Sequence, residues 1–201
     1  MPGKNCLRVN HEGSFMSRTC IFVDGGYFQK VLEKDFNKAA IDFSRLGPAL
    51  SEGFEPFLRA YYYNCLPYQS SPPTPDERDM FAKAERFYYS LRKIPNLEIR
   101  LGRLEFRGVS RETGRPIFEQ KRVDVQLAVD LLTLSFSGQI ATAVVVAGDS
   151  DFIPAFKAAK DRGVRIVVVH GVKNPPHRDL LSAADQRIRF DDRFISSVRR
   201  V

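Results

Sequence analysis

Two uninterrupted apolar segments, joined by a helical pattern, constrain the fold more than any other feature of the chain. The segment ATAVVVAGD (141–149) is followed by DFIPAFKAAKDRG (151–163), which ends in a glycine, and then by VRIVVVHG (164–171). Strands that are apolar throughout, rather than at alternate positions, are typical of parallel sheets covered by helices on both faces. This order of strand, helix and strand therefore predicts an α/β fold with a central, mostly parallel sheet.

The preceding residues extend the same alternation. TCIFVD (19–24) predicts a buried strand that ends in Asp-Gly-Gly and leads into a helix, and PFLRAYYYNCL (56–66) predicts a second strand. An amphipathic helix is expected over 76–93. LEIRLGRLEFR (97–107) alternates apolar and basic residues and returns through IFEQKR (117–122), which predicts an exposed basic hairpin. VDVQLAVDLLTLSF (123–136) then predicts a helix with one apolar stripe.

Composition narrows the class of protein. A chain of 201 residues with 43% hydrophobic and 27% charged residues is typical of one globular domain. No apolar segment is long enough for a membrane span or a secretory signal, and three cysteines without CxxC spacing favour a reduced, cytoplasmic protein. The formal charge of +7 favours polyanionic partners. Residues 1–15 are polar and unpatterned and are expected to be a flexible leader, with a domain over 16–191 and a basic tail over 192–201.

Acidic residues follow the predicted strands at one edge of the sheet. Asp24 ends the first strand, and Asp149 and Asp151 follow the strand 141–147. Asp124 lies in the first turn of a helix that runs antiparallel to that strand, which brings it to the same edge. Ligand sites of α/β sheets lie at the carboxyl ends of their strands. We therefore expect four carboxylates to converge there.

Two interpretations of these acids remain open. Aspartates cap helix N-termini, and this role accounts for Asp149 or Asp151 but not for Asp24. Several carboxylates at one edge repel each other unless a cation offsets their charge, and Mg²⁺ or Mn²⁺ prefers oxygen ligands and activates water for attack on a phosphodiester. Asp130 lies six residues after Asp124, about 120° away around the helix, so we expect it to pair with a basic neighbour or to orient a loop.

Four blocks of the sequence carry a resemblance to a known family: IFVDGGYFQKVL, KRVDVQLAVDLL, VVVAGDSDFIPAFKAAKDRGVRIVVVHG and LLSAADQRIRFDD. In this order they resemble the NYN (LabA-like) family of the PIN-like nuclease superfamily. The resemblance implies a PIN-like three-layer α/β/α sandwich that binds Mg²⁺ or Mn²⁺ and cleaves RNA. It places the family's acidic positions on Asp24, Asp124, Asp149 and Asp151, with Asp130 and Asp185 in supporting positions. Gly25, Gly26 and Tyr27 stand where many members have an asparagine.

The expected function is a divalent-metal-dependent ribonuclease acting on single-stranded or structured RNA. The alternatives are a non-catalytic nucleic-acid-binding or protein-interaction module of the same fold, and a metal-dependent phosphatase or nucleotide hydrolase. Homo-oligomerisation is left open, and no membrane partner is expected.

Several further residues have both a structural and a functional interpretation. Ser150 is either a turn residue or a phosphate ligand, and the basic residues are either a solvated face or a path for the phosphate backbone. Tyr61, Tyr62 and Tyr63 could stack on bases, but alternate strand positions must enter the core. His170 could bind a metal or transfer a proton, but a single histidine at such a position more often has a structural role. The basic candidates are Lys121, Arg122 and Arg103, together with Arg100 and Arg107 on the hairpin.

Overall fold

The central sheet orders its strands β4-β3-β2-β1-β5-β6-β7. The structure is a computed structural model that describes residues 18–114 and 116–200, so the expected leader (1–15) lies outside the described residues. The strands are β1 (Thr19–Asp24), β2 (Phe57–Cys65), β3 (Leu97–Val109), β4 (Pro116–Lys121), β5 (Thr142–Val146), β6 (Arg165–His170) and β7 (Gln186–Arg189). Every pairing is parallel except β3 with β4. The prediction of a mostly parallel sheet is confirmed.

Helices cover both faces of this sheet and complete an α/β/α sandwich. They are α1 (Gly25–Asp35), α2 (Phe43–Leu50), α3 (Pro75–Leu91), α4 (Val123–Phe136), α5 (Ile153–Asp161), α6 (Arg178–Ala183) and α7 (Asp192–Ser197). One apolar core joins α1, α2, α3 and α7 to the sheet, and a second core joins α4, α5 and α6 to the opposite face. The predicted three-layer architecture is therefore confirmed.

The central strand β1 shows why both faces are apolar. Ile21 and Val23 enter the first core, while Cys20 and Phe22 enter the second. Successive side chains of a strand point to opposite faces, so a strand buried on both sides must be apolar at every position. Cys20 is a free, buried thiol, and its burial raises its pKa to about 12.

β1 also marks the point at which the strand order reverses. It pairs with β2 on one side and β5 on the other, and Val23 is in register with both Tyr62 and Val146. In open α/β sheets a crevice forms outside the carboxyl ends of the strands at this position. The fold thus places the residues that follow β1 and β5 at the mouth of a crevice.

The apolar stripe predicted on the helix 123–136 is confirmed, because Val123, Leu127, Leu131 and Leu134 are all buried in α4. The C-terminal residues differ from the expectation of a basic tail. Residues 192–200 include α7, and Ile195 and Val198 are 5% and 0% exposed in the core. The amide of Arg200 donates to the carbonyl of Ala40. The folded unit therefore continues past residue 191.

None of the helices in the described part of the chain has the length and apolar character needed to span a membrane.

Candidate active site

Asp24 and Asp149 follow the carboxyl ends of the two central strands, and each caps the helical turn after it. The Oδ1 atom of Asp24 accepts hydrogen bonds from the amides of Gly26 (2.9 Å) and Tyr27 (3.1 Å) at the start of α1. Oδ1 of Asp149 accepts from the amide of Asp151 (3.0 Å) in a short 3₁₀ turn that begins at Ser150. Capping therefore accounts for Asp24 as well, contrary to the sequence-based expectation. In both residues it occupies one oxygen.

Two glycines allow the chain to turn sharply beside these acids. A Cβ atom at Gly25 would lie 2.6 Å from Cζ of Tyr62, and one at Gly148 would lie 2.5 Å from the ring of Tyr27. Such distances are well inside van der Waals contact, so a larger side chain at either position would displace an aromatic ring. The glycines bring the backbone after β1 and β5 close to the core beneath the acids.

Asp124, in the first turn of α4, makes no structural contact of this kind. Among the residues that the structure describes, no other residue donates a hydrogen bond to its side chain, and Arg122 rather than Asp124 is at the N-cap position of α4. Arg122 has a positive φ of 76°. Capping therefore does not explain why a carboxylate is at position 124.

The carboxylates of Asp24 and Asp124 interact electrostatically. Burial raises the pKa of Asp24, the amide of Tyr27 opposes this shift, and the charge of Asp124 raises the pKa further. Partial burial on the cleft wall raises the pKa of Asp124 as well, although its side chain remains accessible to solvent, and the charges of Asp149 and Asp151 add to the shift. Each carboxylate thus makes ionisation of the other less favourable.

These acids line one cleft, which we call the acid cleft. Its volume is about 810 Å³, and Asp24, Asp124 and Asp149 form part of its wall. Ser150 lines it as well, whereas Asp151 does not, although the charge of Asp151 reaches Asp124. The other lining residues are Gly26, Tyr27, Lys30, Leu104, Phe118, Gln120, Gly148, Asn174, Pro175, Pro176 and His177.

The two acids expected in supporting positions have structural partners. Asp130 accepts a hydrogen bond from the hydroxyl of Tyr63 (3.0 Å) and forms an ion pair with Nε of Arg100 (3.1 Å). Asp185 accepts from the amide of Ile166 (2.8 Å) and pairs with Lys160 (2.7 Å). Because Ile166 is near the start of β6, Asp185 lies at the edge of the sheet opposite the acid cleft.

The hairpin arginines and Lys121 are less available for phosphate than the sequence suggests. Arg100 is held by Asp130 and Glu98, and Arg107 contacts Glu105 and Glu119. Lys121 also pairs with Glu119. Arg103 and Arg122 are exposed and have no ion pair within the described ranges. Lys30, on the wall of the acid cleft, is a cation that the sequence analysis did not single out.

The structure removes two other candidates from the site. Tyr61, Tyr62 and Tyr63 are 5%, 1% and 0% exposed, so none of them presents a ring face to a base. His170 is buried, and its Nδ1 lies 2.8 Å from the carbonyl oxygen of Gly171. These residues stabilise the fold.

Gln120 was missed by sequence reasoning although it lies at the centre of the site. Its Nε2 is 3.3 Å from the position that a Cβ at Gly26 would take, and Oδ1 of Asp24 is equally near that position. An amide from β4 therefore reaches the segment 25–27. A glutamine on an exposed strand gives no sequence signal of such a role.

Within 18–114 and 116–200, no three His, Cys, Asp or Glu side chains are grouped so that they could hold a metal ion together. The donor set nevertheless fits Mg²⁺, which keeps several waters and is usually bound by one or two carboxylates plus substrate phosphates rather than by an all-protein cage. Asp124 offers a carboxylate with no hydrogen-bond partner in another described residue, and Asp24 and Asp149 each use one oxygen for capping. The mutual repulsion of these acids is the condition that a bound cation relieves.

The raised pKa of Asp124 predicts a pH-dependent stability difference between the wild type and Asp124→Asn in EDTA. A carboxyl whose pKa is higher in the folded than in the unfolded state makes the folded protein bind more protons between the two values, so stability falls as pH rises through that window. We expect the variant to melt at the higher temperature near pH 7 and the difference to shrink as pH falls towards the ordinary aspartate value. Thermal melts of both proteins across this range measure it. A difference that does not change with pH would contradict the crowding of the acids.

The architecture and the site together define a PIN-like α/β/α protein with an acidic cleft at the switch point of its sheet. The family model described as NYN domain matches residues 18–191, and the chain belongs to the NYN family. Members of this family are generally nucleases, so membership supports a nuclease type of activity.

The proteins similar to this chain include one from Methanocaldococcus jannaschii and one from Vibrio parahaemolyticus. An uncharacterized protein of Methanocaldococcus jannaschii is 38% identical over 72 residues, which is 36% of this chain and 30% of that protein. The crystal structure of a protein of unknown function from Vibrio parahaemolyticus superposes with a TM-score of 0.62 at 17% identity, covering 94% of this chain and 99% of the other. At that identity the second likeness concerns the fold alone.

Proposed function

We propose that this protein is a divalent-metal-dependent ribonuclease that hydrolyses RNA phosphodiester bonds in the acid cleft. The observation that carries the proposal is the position of Asp124. Its side chain accepts no hydrogen bond from another described residue, and the charges of Asp149 and Asp151 raise its pKa. A fold does not retain such repulsion for stability, and a cationic ligand offsets it.

Asp24, Asp124 and Asp149 are the residues that would hold Mg²⁺ or Mn²⁺, with Asp151 completing the negative field around Asp124. When bound, the ion supplies charge neutralisation at the scissile phosphate and lowers the pKa of water. Residues of the chain itself position the substrate phosphate. The hydroxyl of Ser150 and the ammonium of Lys30 lie on the cleft wall, where each can contact a non-bridging phosphate oxygen.

The shape of the cleft favours a polymer over a small phosphate ester. Asp124, Asp149, Lys30, Phe118 and Gln120 all line the cleft and are all exposed, so the cleft is open to solvent. Pockets for small molecules bury most of the ligand surface. An open cleft instead lets a chain enter and leave on both sides of the scissile bond.

A substrate panel tests this function against its alternatives. Labelled single-stranded RNA, single-stranded DNA, duplexes and a small phosphate monoester are incubated with Mn²⁺, Mg²⁺ or EDTA. We expect metal-dependent cleavage of RNA with products that carry a 5′-phosphate. Hydrolysis of the monoester alone would support a phosphatase, and RNA binding without cleavage under any condition would support the non-catalytic module.

Metal binding to the acids predicts a thermal shift. A ligand that binds only the folded state stabilises it by about 2.7 kcal/mol at a hundred times its dissociation constant. For a domain of this size this corresponds to roughly 5–10 °C in melting temperature. We expect saturating Mn²⁺ to raise the melting temperature of the wild type but to have little effect on the Asp24→Ala, Asp149→Ala double variant. Equal shifts in both proteins would mean that the ion binds elsewhere.

A further inference from the structure

The hairpin formed by β3 and β4 has two chemically different faces. Leu104 pairs with Gln120 and Phe106 with Phe118 across the strands, so these four side chains share one face. The residue pairs that alternate with these along the strands occupy the other face and are charged. They are Arg103 with Lys121 and Glu105 with Glu119.

The apolar face lies towards the acid cleft. Leu104, Phe118 and Gln120 line the cleft that contains the three carboxylates. The strands pack closely at the base of the hairpin, since a Cβ atom at Gly102 would lie 2.4 Å from the carbonyl oxygen of Lys121. Arg103 and Lys121, two of the basic residues predicted to guide phosphate, are on the face turned away from the cleft.

Three aromatic rings gather on the apolar side, and we call them the aromatic platform: Tyr68, Phe106 and Phe118. The ring centroids of Tyr68 and Phe118 are 5.2 Å apart, and Phe106 lies 6.0 Å from each of them. Phe106 and Phe118 are 46% and 42% exposed. Exposed aromatic rings next to a polar cleft are typical of a binding surface rather than of a core.

The residues around the platform indicate which kind of ligand it binds. The acid cleft beside it is the proposed site of a phosphodiester, Lys30 contributes a positive charge on the cleft wall, and the whole chain carries a formal charge of +7. A ligand that combines a phosphate backbone with flat aromatic groups matches both halves of this surface. In a duplex the ring faces of each base are covered by the neighbouring base pairs, so the matching group is an unpaired base.

We propose that the aromatic platform is a nucleobase-stacking subsite that holds an unpaired base of the substrate next to the scissile phosphate. This inference rests on the proposed nuclease function for the placement of the phosphate. It makes Phe118, which is shared by the platform and the cleft, the main contact of the base. The platform would take the stacking role that the sequence analysis considered for Tyr61, Tyr62 and Tyr63, which are buried.

Fluorescence binding tests the subsite without requiring cleavage. The probe is a short single-stranded RNA carrying 2-aminopurine, titrated in EDTA with the wild type and Phe118→Ala. We expect quenching in the wild type and affinity lower by about 10- to 100-fold in the variant, the range for one stacked base. Phe118→Trp retains a ring face and should restore binding. Tyr89→Ala is the matched control, because Tyr89 is 61% exposed on α3 outside the cleft and should bind as the wild type.

Unchanged affinity of Phe118→Ala, or an equal loss in Tyr89→Ala, would overturn the subsite. An unchanged RNA affinity combined with altered self-association would assign the platform to protein contact instead. The two proposals fail separately. Stacking in EDTA without cleavage in Mn²⁺ would overturn only the nuclease, and metal-dependent cleavage that Phe118→Ala leaves unchanged would overturn only the subsite.

Discussion

Replacing Asp124 with asparagine is expected to abolish metal-dependent RNA cleavage, lowering the rate by about a thousand-fold or more, while the protein remains folded. Loss of a carboxylate ligand weakens the charge stabilisation that a bound ion supplies, and every 1.36 kcal/mol lost costs about tenfold in rate. The fold is unaffected because the Asp124 side chain accepts no hydrogen bond from another residue in the described part of the chain. The measurement is a cleavage time course alongside a thermal melt.

The matched control is Asp161→Asn, which removes an exposed acid at the end of α5, away from the cleft. It should cleave as the wild type does. Full activity in a homogeneous preparation of Asp124→Asn would contradict the assignment of this residue, and so would an equal loss in both variants.

The second large effect is expected at Asp130, on the same helix, and it concerns stability. Asp130→Ala leaves the buried hydroxyl of Tyr63 without its acceptor and Arg100 without its closest carboxylate. A buried polar group left unpaired costs about 1–3 kcal/mol. For about 2 kcal/mol the melting temperature should fall by roughly 4–8 °C.

Variants of Asp124 and Asp130, which lie on the same helix, are thus expected to have opposite effects on stability and on cleavage. Below its lowered melting temperature, Asp130→Ala should retain cleavage, whereas Asp124→Asn should melt no lower than the wild type and lose cleavage. Melts in EDTA and cleavage assays in Mn²⁺ on both variants give the four values. A variant of Asp130 that melts as the wild type does would show that its contacts with Tyr63 and Arg100 are energetically neutral.

The α/β architecture was predictable because a sheet that is buried on both faces requires strands that are apolar at every position. Continuous apolar strands, and a helical stripe at Val123, Leu127, Leu131 and Leu134, follow from covering a parallel sheet with helices. The short elements α6, β7 and α7 were not predicted. They span four to six residues each and carry few apolar positions, so their periodicity is too brief to recognise.

The acids of the cleft were predictable for a topological reason. Parallel strands end at one edge, and Asp24 and Asp149 follow two such strands. The capping role of Asp24 was not visible, since it depends on how Gly26 and Tyr27 present their amides after the turn. The sequence shows that an aspartate at the end of a strand lies near the site, but it does not show which contacts the side chain makes.

The hairpin shows where sequence reasoning reaches its limit. Alternation of apolar and basic residues predicted two faces, but which face meets the cleft depends on how the hairpin packs against the rest of the fold. The basic residues were therefore assigned to the substrate path, whereas Phe118 and Gln120 line the cleft. Exposed aromatic residues on a short edge strand resemble ordinary strand formers until their surroundings are known.

We propose that the acid cleft hydrolyses RNA with the help of a divalent ion held by Asp24, Asp124 and Asp149. A time course on end-labelled single-stranded RNA, run in Mn²⁺ and in EDTA with the same enzyme preparation, tests this proposal. We expect shortened products bearing a 5′-phosphate in Mn²⁺ and intact RNA in EDTA. Equal cleavage in EDTA, or intact RNA in both conditions, would contradict it.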